Sequence, residues 1–245
     1  MLCQIKKLEA YASHLLDAFI MLRERYAMLA PMLFEPNVSK HWGSGARARG
    51  FRILRNSLFL SCAQEIAKLA LDTDKRTPSI INLIGALEDP SLCEVLQAQY
   101  TQWVTPLAEP ETDPEIIAVI KKMELRERAE RHVQFDEILS RVRFNWTDLK
   151  ADPYLNGFLT IRDKVSAHTE VHLVADKYQF VDISKLGIKW SDIGLAINKM
   201  ESVIEDLGLL IRNAGFAWDM LDEQLSKASE AFWLGFERGE GELES

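Results

Sequence analysis

The run Arg162-Asp163-Lys164-Val165-Ser166-Ala167-His168 places an arginine six positions before a histidine, beside the apolar residues Leu155, Phe158 and Val165. In a helix that continued through the run, the two would bracket Val165 at roughly 60° on either side, ~9 Å apart along the axis, and would line one cleft. Arginine on a buried face is costly unless an anion satisfies it. A phosphate suits its planar fork of donors, and histidine beside it can move a proton near neutral pH. These are the two tools for cleaving a phosphodiester. The alternative is structural: Arg162 pairs with an internal acid and His168 bonds a backbone carbonyl.

Other residues invite other chemistry. His168, Glu170 and His172 would put two histidines one helical turn apart, the start of a zinc site. No partner motif supplies further ligands, so His132 or Asp136 would have to be recruited by folding, and no metal or other cofactor is expected. Lys40, Arg47, Arg49, Arg52 and Arg55 lie in a stretch without an acid, interleaved with Trp42 and Phe51. They either contact RNA phosphates, with stacked bases between them, or form a solvated helix start. Between Lys121 and Arg143, seven bases and five acids largely offset one another, as on a wet helix face. No Ser-His-Asp triad, cysteine nucleophile or catalytic carboxylate pair stands out.

The elements that must position these residues are helical. Leu8, Ala12, Leu15, Phe19, Leu22, Tyr26, Leu29 and Leu33 alternate spacings of four and three, the stripe of a long first helix. Pro36 and the Gly43, Gly45 pair end it. A second long helix is predicted over 46–72, with Phe51, Leu54, Leu58, Cys62, Ile66 and Leu69 inward, followed by short helices near 79–88 and 91–103. Pro106, Pro110 and Pro114 among acids make a loop. A helix over 116–150 has a middle, Glu124 to His132, charged on every face, which is a solvated projection or a partner surface. Asp152-Pro153 opens the helix that carries the signature run, predicted over about 153–175. Residues 177–190 read as a loop with a short extended piece at Tyr178 to Val181. Ser191 caps a helix that stops at Asn213 and Gly215, and a last helix over 216–236 shows Trp218, Leu221, Leu225, Ala228, Phe232 and Phe236. Its aromatic stripe completes the core or docks a partner. No β ladder, glycine-rich phosphate loop or internal repeat is visible, so the fold class is all-α.

The 245 residues are 47% hydrophobic and 27% charged, which excludes a disordered, collagenous or fibrous chain. Cys3, Cys62 and Cys93 are odd in number and far apart, so they make no disulfide framework and fit a reducing compartment. Neither a signal-peptide run nor a stretch of ~20 apolar residues is present, so a cytoplasmic protein without a membrane partner is expected. The formal net charge is −8, but residues 216–245 hold eight acids and two bases, so the overall sign decides nothing about partners. Residues 1–236 read as one domain and 237–245 as an acidic, disordered tail.

The run Arg162 to Thr169 resembles the signature of the HEPN superfamily, an arginine and a polar residue followed at a short gap by histidine. Lys164-x-x-Ala167-His168 is similar to the abortive-infection U-type (AbiU-like) branch. So are Arg55-Asn56-Ser57-Leu58-Phe59-Leu60, Ala67-Lys68-Leu69-Ala70-Leu71-Asp72 and Leu186-Gly187-Ile188-Lys189-Trp190-Ser191-Asp192. The resemblance covers about residues 45–212. It implies an antiparallel HEPN-like helical bundle, with the remaining N- and C-terminal helices as additions, that dimerises so that Arg162 and His168 of both chains meet. It also implies metal-independent endoribonuclease activity in toxin–antitoxin or phage-defence settings, with RNA as substrate and an antitoxin protein as a possible partner. Other members are non-catalytic modules that bind a protein or nucleotide. Asparagine is common where this chain has Asp163, so the carboxylate either competes with phosphate or orients Arg162. Lys164 and Asp163 are the supporting residues of the expected site.

Overall fold

The computed structural model describes residues 2–103, 105, 113–167, 171–174, 177–180 and 182–235. The first of them form α1 (Leu2–Phe34), the spine of the bundle, through a buried face of Ile5, Leu8, Ala12, Leu15, Phe19, Leu22, Leu29 and Met32. Tyr26 and Leu33, expected on that stripe, are half-buried at its border. After α1 come α2 (Pro36–Trp42), α3 (Ala48–Leu71), α4 (Ile80–Ala86), α5 (Pro90–Thr101), α6 (Pro114–Ala151), α7 (Pro153–Thr160), α8 (Asp192–Arg212) and α9 (Trp218–Leu234).

Side-chain pairs give the helix directions. Arg25 meets Glu65 and the Tyr11 hydroxyl donates to the Lys75 carbonyl, so α3 runs antiparallel to α1. Arg23 pairs with Glu201, and Tyr26 lies against Gly194, so α8 is antiparallel to α1 too. Arg23 also reaches Asp222, while Ser229 and Trp233 donate to the Ala27 and Met28 carbonyls, which makes α9 parallel to α1. Asn213, at φ 50°, closes α8 and begins the reversal between these last two helices.

On the other side of α8, α6 buries Phe135, Ile138, Val142, Trp146 and Leu149. Arg141 on Asp206, and Lys199 on Asp148 and Asp152, set the two antiparallel. The first half of α6 lacks such support. Ile116, Val119, Met123, Leu125 and Val133 are exposed there, while the charged Glu124 to His132 stretch is tied on one side to the end of α5, Arg131 and Arg128 donating to the Tyr100 and Trp103 carbonyls and Glu124 accepting from the Thr105 N–H.

Three local expectations need correction. The helix predicted over 153–175 ends its α-helical part at Thr160, and an antiparallel hairpin, β1 (Val171–Val174) with β2 (Lys177–Phe180), follows where no ladder was read. Valines and aromatics favour an extended pleated backbone, and that preference wins over a stripe too short to be packed. Leu54, predicted inward, is exposed. Asp152 and Ser191 occupy helix starts without capping them through their side chains. The Asp152 carboxylate instead accepts from Tyr154 at 2.6 Å and Lys199 at 2.7 Å, and Asp192 accepts from the Lys189 N–H at 2.8 Å. Most of the proline loop and the tail after Gly235, including Phe236, lie outside the described residues.

Candidate active site

Pro153 starts α7, whose Leu155 and Phe158, followed by Ile161, are buried in the core against α3. Gly157 allows the segment after the hairpin to pass close by. A Cβ there would stand 2.6 Å from Ile188 Cγ1, so a side chain at this position would have to displace the Ile188 side chain that packs on it. From Ile161 to Ala167 the helix widens to the π form, in which hydrogen bonds span five residues instead of four. The angles and the ~9 Å rise expected for Arg162 and His168 assumed α-geometry and do not carry over. Such π segments recur at functional sites because they re-aim side chains within an otherwise regular helix.

Arg162 is 28% exposed and sits between two carboxylates. Its Nε donates to Asp163 Oδ1 at 2.7 Å, so Asp163 orients the guanidinium. Its Nη1 is buried without a hydrogen bond and lies 4.0 Å from Asp72 Oδ2. Asp72 is itself fixed. It closes α3, its carbonyl accepts from Ser79 Oγ at 2.6 Å and Asn82 Nδ2 at 3.2 Å, and its Oδ1 accepts from the Asp74 N–H at 2.9 Å. The arrangement is a preset guanidinium with one unspent buried donor, in a local environment that two acids have made negative.

His168 and Glu170 lie outside the described residues, as does the separation of Arg162 from His168. Lys164 and Val165 are half-buried. Phe158 is fully buried within the protomer, so that part of the apolar stripe serves the core and is not free for a subunit interface. His172 is on β1 rather than on a helix shared with His168, so the one-turn histidine pair does not form. His132 and Asp136 meet each other at 3.6 Å on an exposed face, and Gln97 donates to Asp136 at 2.8 Å. Among the described residues no group of three or more metal-ligating side chains converges.

The basic stretch divides. Lys40, Arg49 and Arg52 are exposed. Arg47 lies over the Trp42 ring at 5.2 Å, with its Nη1 2.8 Å from His41 Nε2. Arg55 covers the Trp190 ring at 5.1 Å and keeps its Nε buried without a hydrogen bond, while Phe59 meets the same tryptophan edge-on at 4.6 Å. Two segments far apart in the chain, 55–60 and 186–192, thus touch through Trp190. The third, 67–72, ends at the carboxylate facing Arg162. Sequence reasoning quoted Asp72 and Trp190 as parts of motifs but assigned neither a role, because no local signal says which helix a turn residue will face.

The AbiU2 family (HEPN_AbiU2) matches residues 5–232, reaching beyond the expected 45–212 into both outer helices. No curated protein and no solved structure matches the chain. An all-α bundle with the signature arginine set against the end of α3, matched over nearly its whole described length, places this chain in the AbiU2 family of HEPN domains.

Proposed function

We propose that the protein is a metal-independent endoribonuclease acting in an abortive-infection or toxin setting, folded as one domain over residues 1–236. The 2′-hydroxyl of unpaired RNA attacks the adjacent phosphorus, the 5′-oxygen leaves, and a 2′,3′-cyclic phosphate remains. His168 takes and returns the proton, and Arg162 stabilises the negative phosphorane. The observation that carries this reading is the buried Arg162 Nη1, a charged donor with no hydrogen bond among the described residues. A phosphate oxygen would satisfy it. A homodimer would bring two such arginines to one cleft, and Asp72 and Asp163 beside each would reduce their repulsion. Arg47, Arg49, Arg52, Arg55 and Lys40 would hold RNA backbone at a distance from the cut, with Lys164 closer to it.

One observation favours a second reading, a non-catalytic module that binds a protein or nucleotide partner. The same two carboxylates compete with any phosphate for Arg162. Purified protein incubated with mixed RNA in EDTA separates the two. Cleavage that leaves 2′,3′-cyclic ends and disappears in His168→Ala supports the nuclease. No cleavage, or cleavage only with added metal, rejects it. Light scattering is expected to give twice the 28.0 kDa chain mass.

A further inference from the structure

The turn that presents Asp72 to Arg162 also walls a cleft of about 560 Å³ between the start of α1 and α4–α5. That volume is in the range of small-molecule sites, which pair apolar walls with a few placed polar groups. Leu8, Ile81 and Leu92 provide apolar wall, and Tyr11 adds an aromatic side held by its hydroxyl on the Lys75 carbonyl at 3.0 Å. Lys7 and Lys75 line the same cleft; the Lys7 ammonium lies 5.0 Å over the Tyr11 ring and donates to the Lys75 carbonyl at 3.5 Å, and neither lysine has a carboxylate partner among the described residues. The carboxylate in the lining, Asp89, is committed to α5, accepting from the Ser91 N–H at 3.0 Å and Ser91 Oγ at 2.7 Å. Asn82, which also lines the cleft, spends its Nδ2 on the carbonyls of Asp72, Asp74 and Thr77, so Oδ1 is the polar atom of its side chain not used in these bonds.

We propose that this cleft binds a small organic anion with a flat apolar body. The ring lies against Tyr11 and the aliphatic wall, the anionic group takes the Lys7 and Lys75 ammoniums, and a ligand N–H or O–H donates to Asn82 Oδ1. Two excess cations without acidic partners select for negative charge, and a wall of mostly carbon selects for a ring over a bare ion. Nucleoside monophosphates and aryl carboxylates share this chemistry. Because Lys75 and Asn82 belong to the hydrogen-bonded system around Asp72, an occupied cleft should steady the turn that faces Arg162. This proposal is independent of whether the protein cleaves RNA.

Gly85 provides the test. It lines the cleft, and a Cβ built on it meets no heavy atom within 4 Å, so the first atom of a side chain enters open space and Gly85→Leu puts bulk into the lining. Calorimetric titration of the full chain with AMP and, separately, with 1-naphthoate should show saturable binding of at least one. AMP alone would assign a phosphate ligand, naphthoate alone a carboxylate, and both would assign the shared chemistry. Gly85→Leu should abolish the binding while keeping or raising the melting temperature, since leucine also favours helix over glycine. Lys7→Ala with Lys75→Ala should weaken it by about tenfold or more. Hydrogen exchange should show new protection of amides 72–82 with the bound probe. If neither probe binds at millimolar concentration, or Gly85→Leu binds as well as the wild type, the site is wrong. Undiminished affinity in the lysine double variant overturns the anion assignment.

Discussion

Two arginines in this molecule meet carboxylates across helices and end in opposite conditions. On the α6–α8 seam, Arg141 donates Nε to both oxygens of the buried Asp206, at 3.0 and 3.1 Å, and Asn145 adds a further contact at 3.4 Å. Burial of Asp206 is tolerated because its charge is matched there. On the α3–α7 side, Arg162 receives its neighbour Asp163 and leaves Nη1 buried and unbonded at 4.0 Å from Asp72. One pair is closed and serves cohesion. The other is held open in a π-helical segment, at a distance where a water or a phosphate oxygen would complete it. The difference teaches that an arginine's role is read from what its donors still lack: Arg141, although 54% exposed, has its donors engaged on Asp206, whereas Arg162, at 28%, keeps one open.

The sharpest break of this comparison is the pair of alanine variants. Arg162→Ala should lower RNA cleavage by about 100-fold or more while leaving the melting curve near wild type. Arg141→Ala should leave turnover per folded molecule intact and cost about 2–3 kcal/mol in denaturant unfolding, because it strands Asp206 in the core. If Arg162→Ala costs as much stability as Arg141→Ala, then Arg162 is a structural residue and the contrast disappears.

Smaller effects sharpen it. Asp163→Asn keeps an oxygen for Arg162 Nε but removes a charge that competes with phosphate, so titration with inorganic phosphate should show an affinity gain of roughly 2- to 5-fold. The same change at Asp206 should give none. Phosphate or sulfate at tens of millimolar should raise the wild-type melting temperature by a degree or two, and Arg162→Ala should lose that rise. The smallest effect concerns the turn behind Asp72. Hydrogen bonds from the Arg76 side chain and N–H hold the Asp74 carboxyl down at about 2. A lowered folded-state value stabilises above the unfolded value of ~3.9, and that contribution is lost as pH falls through the folded one. Carboxyl NMR should therefore show Asp74 still ionised at pH 3, and in Arg76→Ala, which removes the side-chain hydrogen bonds but keeps the N–H, a midpoint that moves up toward the ordinary value.

Much of the bundle was legible before any coordinates. The stripes of α1, α3 and α8 were read from spacings of four and three because an α-helix places those positions on one face whatever it later packs against. The stop at Asn213 followed from a residue tolerant of left-handed backbone. The hairpin was missed for the complementary reason. Val171, Leu173 and Val174 suit either a helix face or a strand, and a four-residue segment has no period with which to choose. The site was half legible: Arg162 was singled out as a residue needing an anion, and the structure sets it between Asp72 and Asp163, partners that no spacing announced.

Local chemistry alone determined that this chain is helical and where most helices lie, and it drew attention to the Arg162 run. Tertiary structure decided that Asp72 faces Arg162, that Trp190 lies under Arg55, that Phe158 is core and not interface, and that α7 passes into a π-helical segment. The physical reason is one of range. Helical periodicity is encoded within a few residues, whereas the rotation and register that bring α3 beside α7 come from packing the whole core, where each helix is placed by the others.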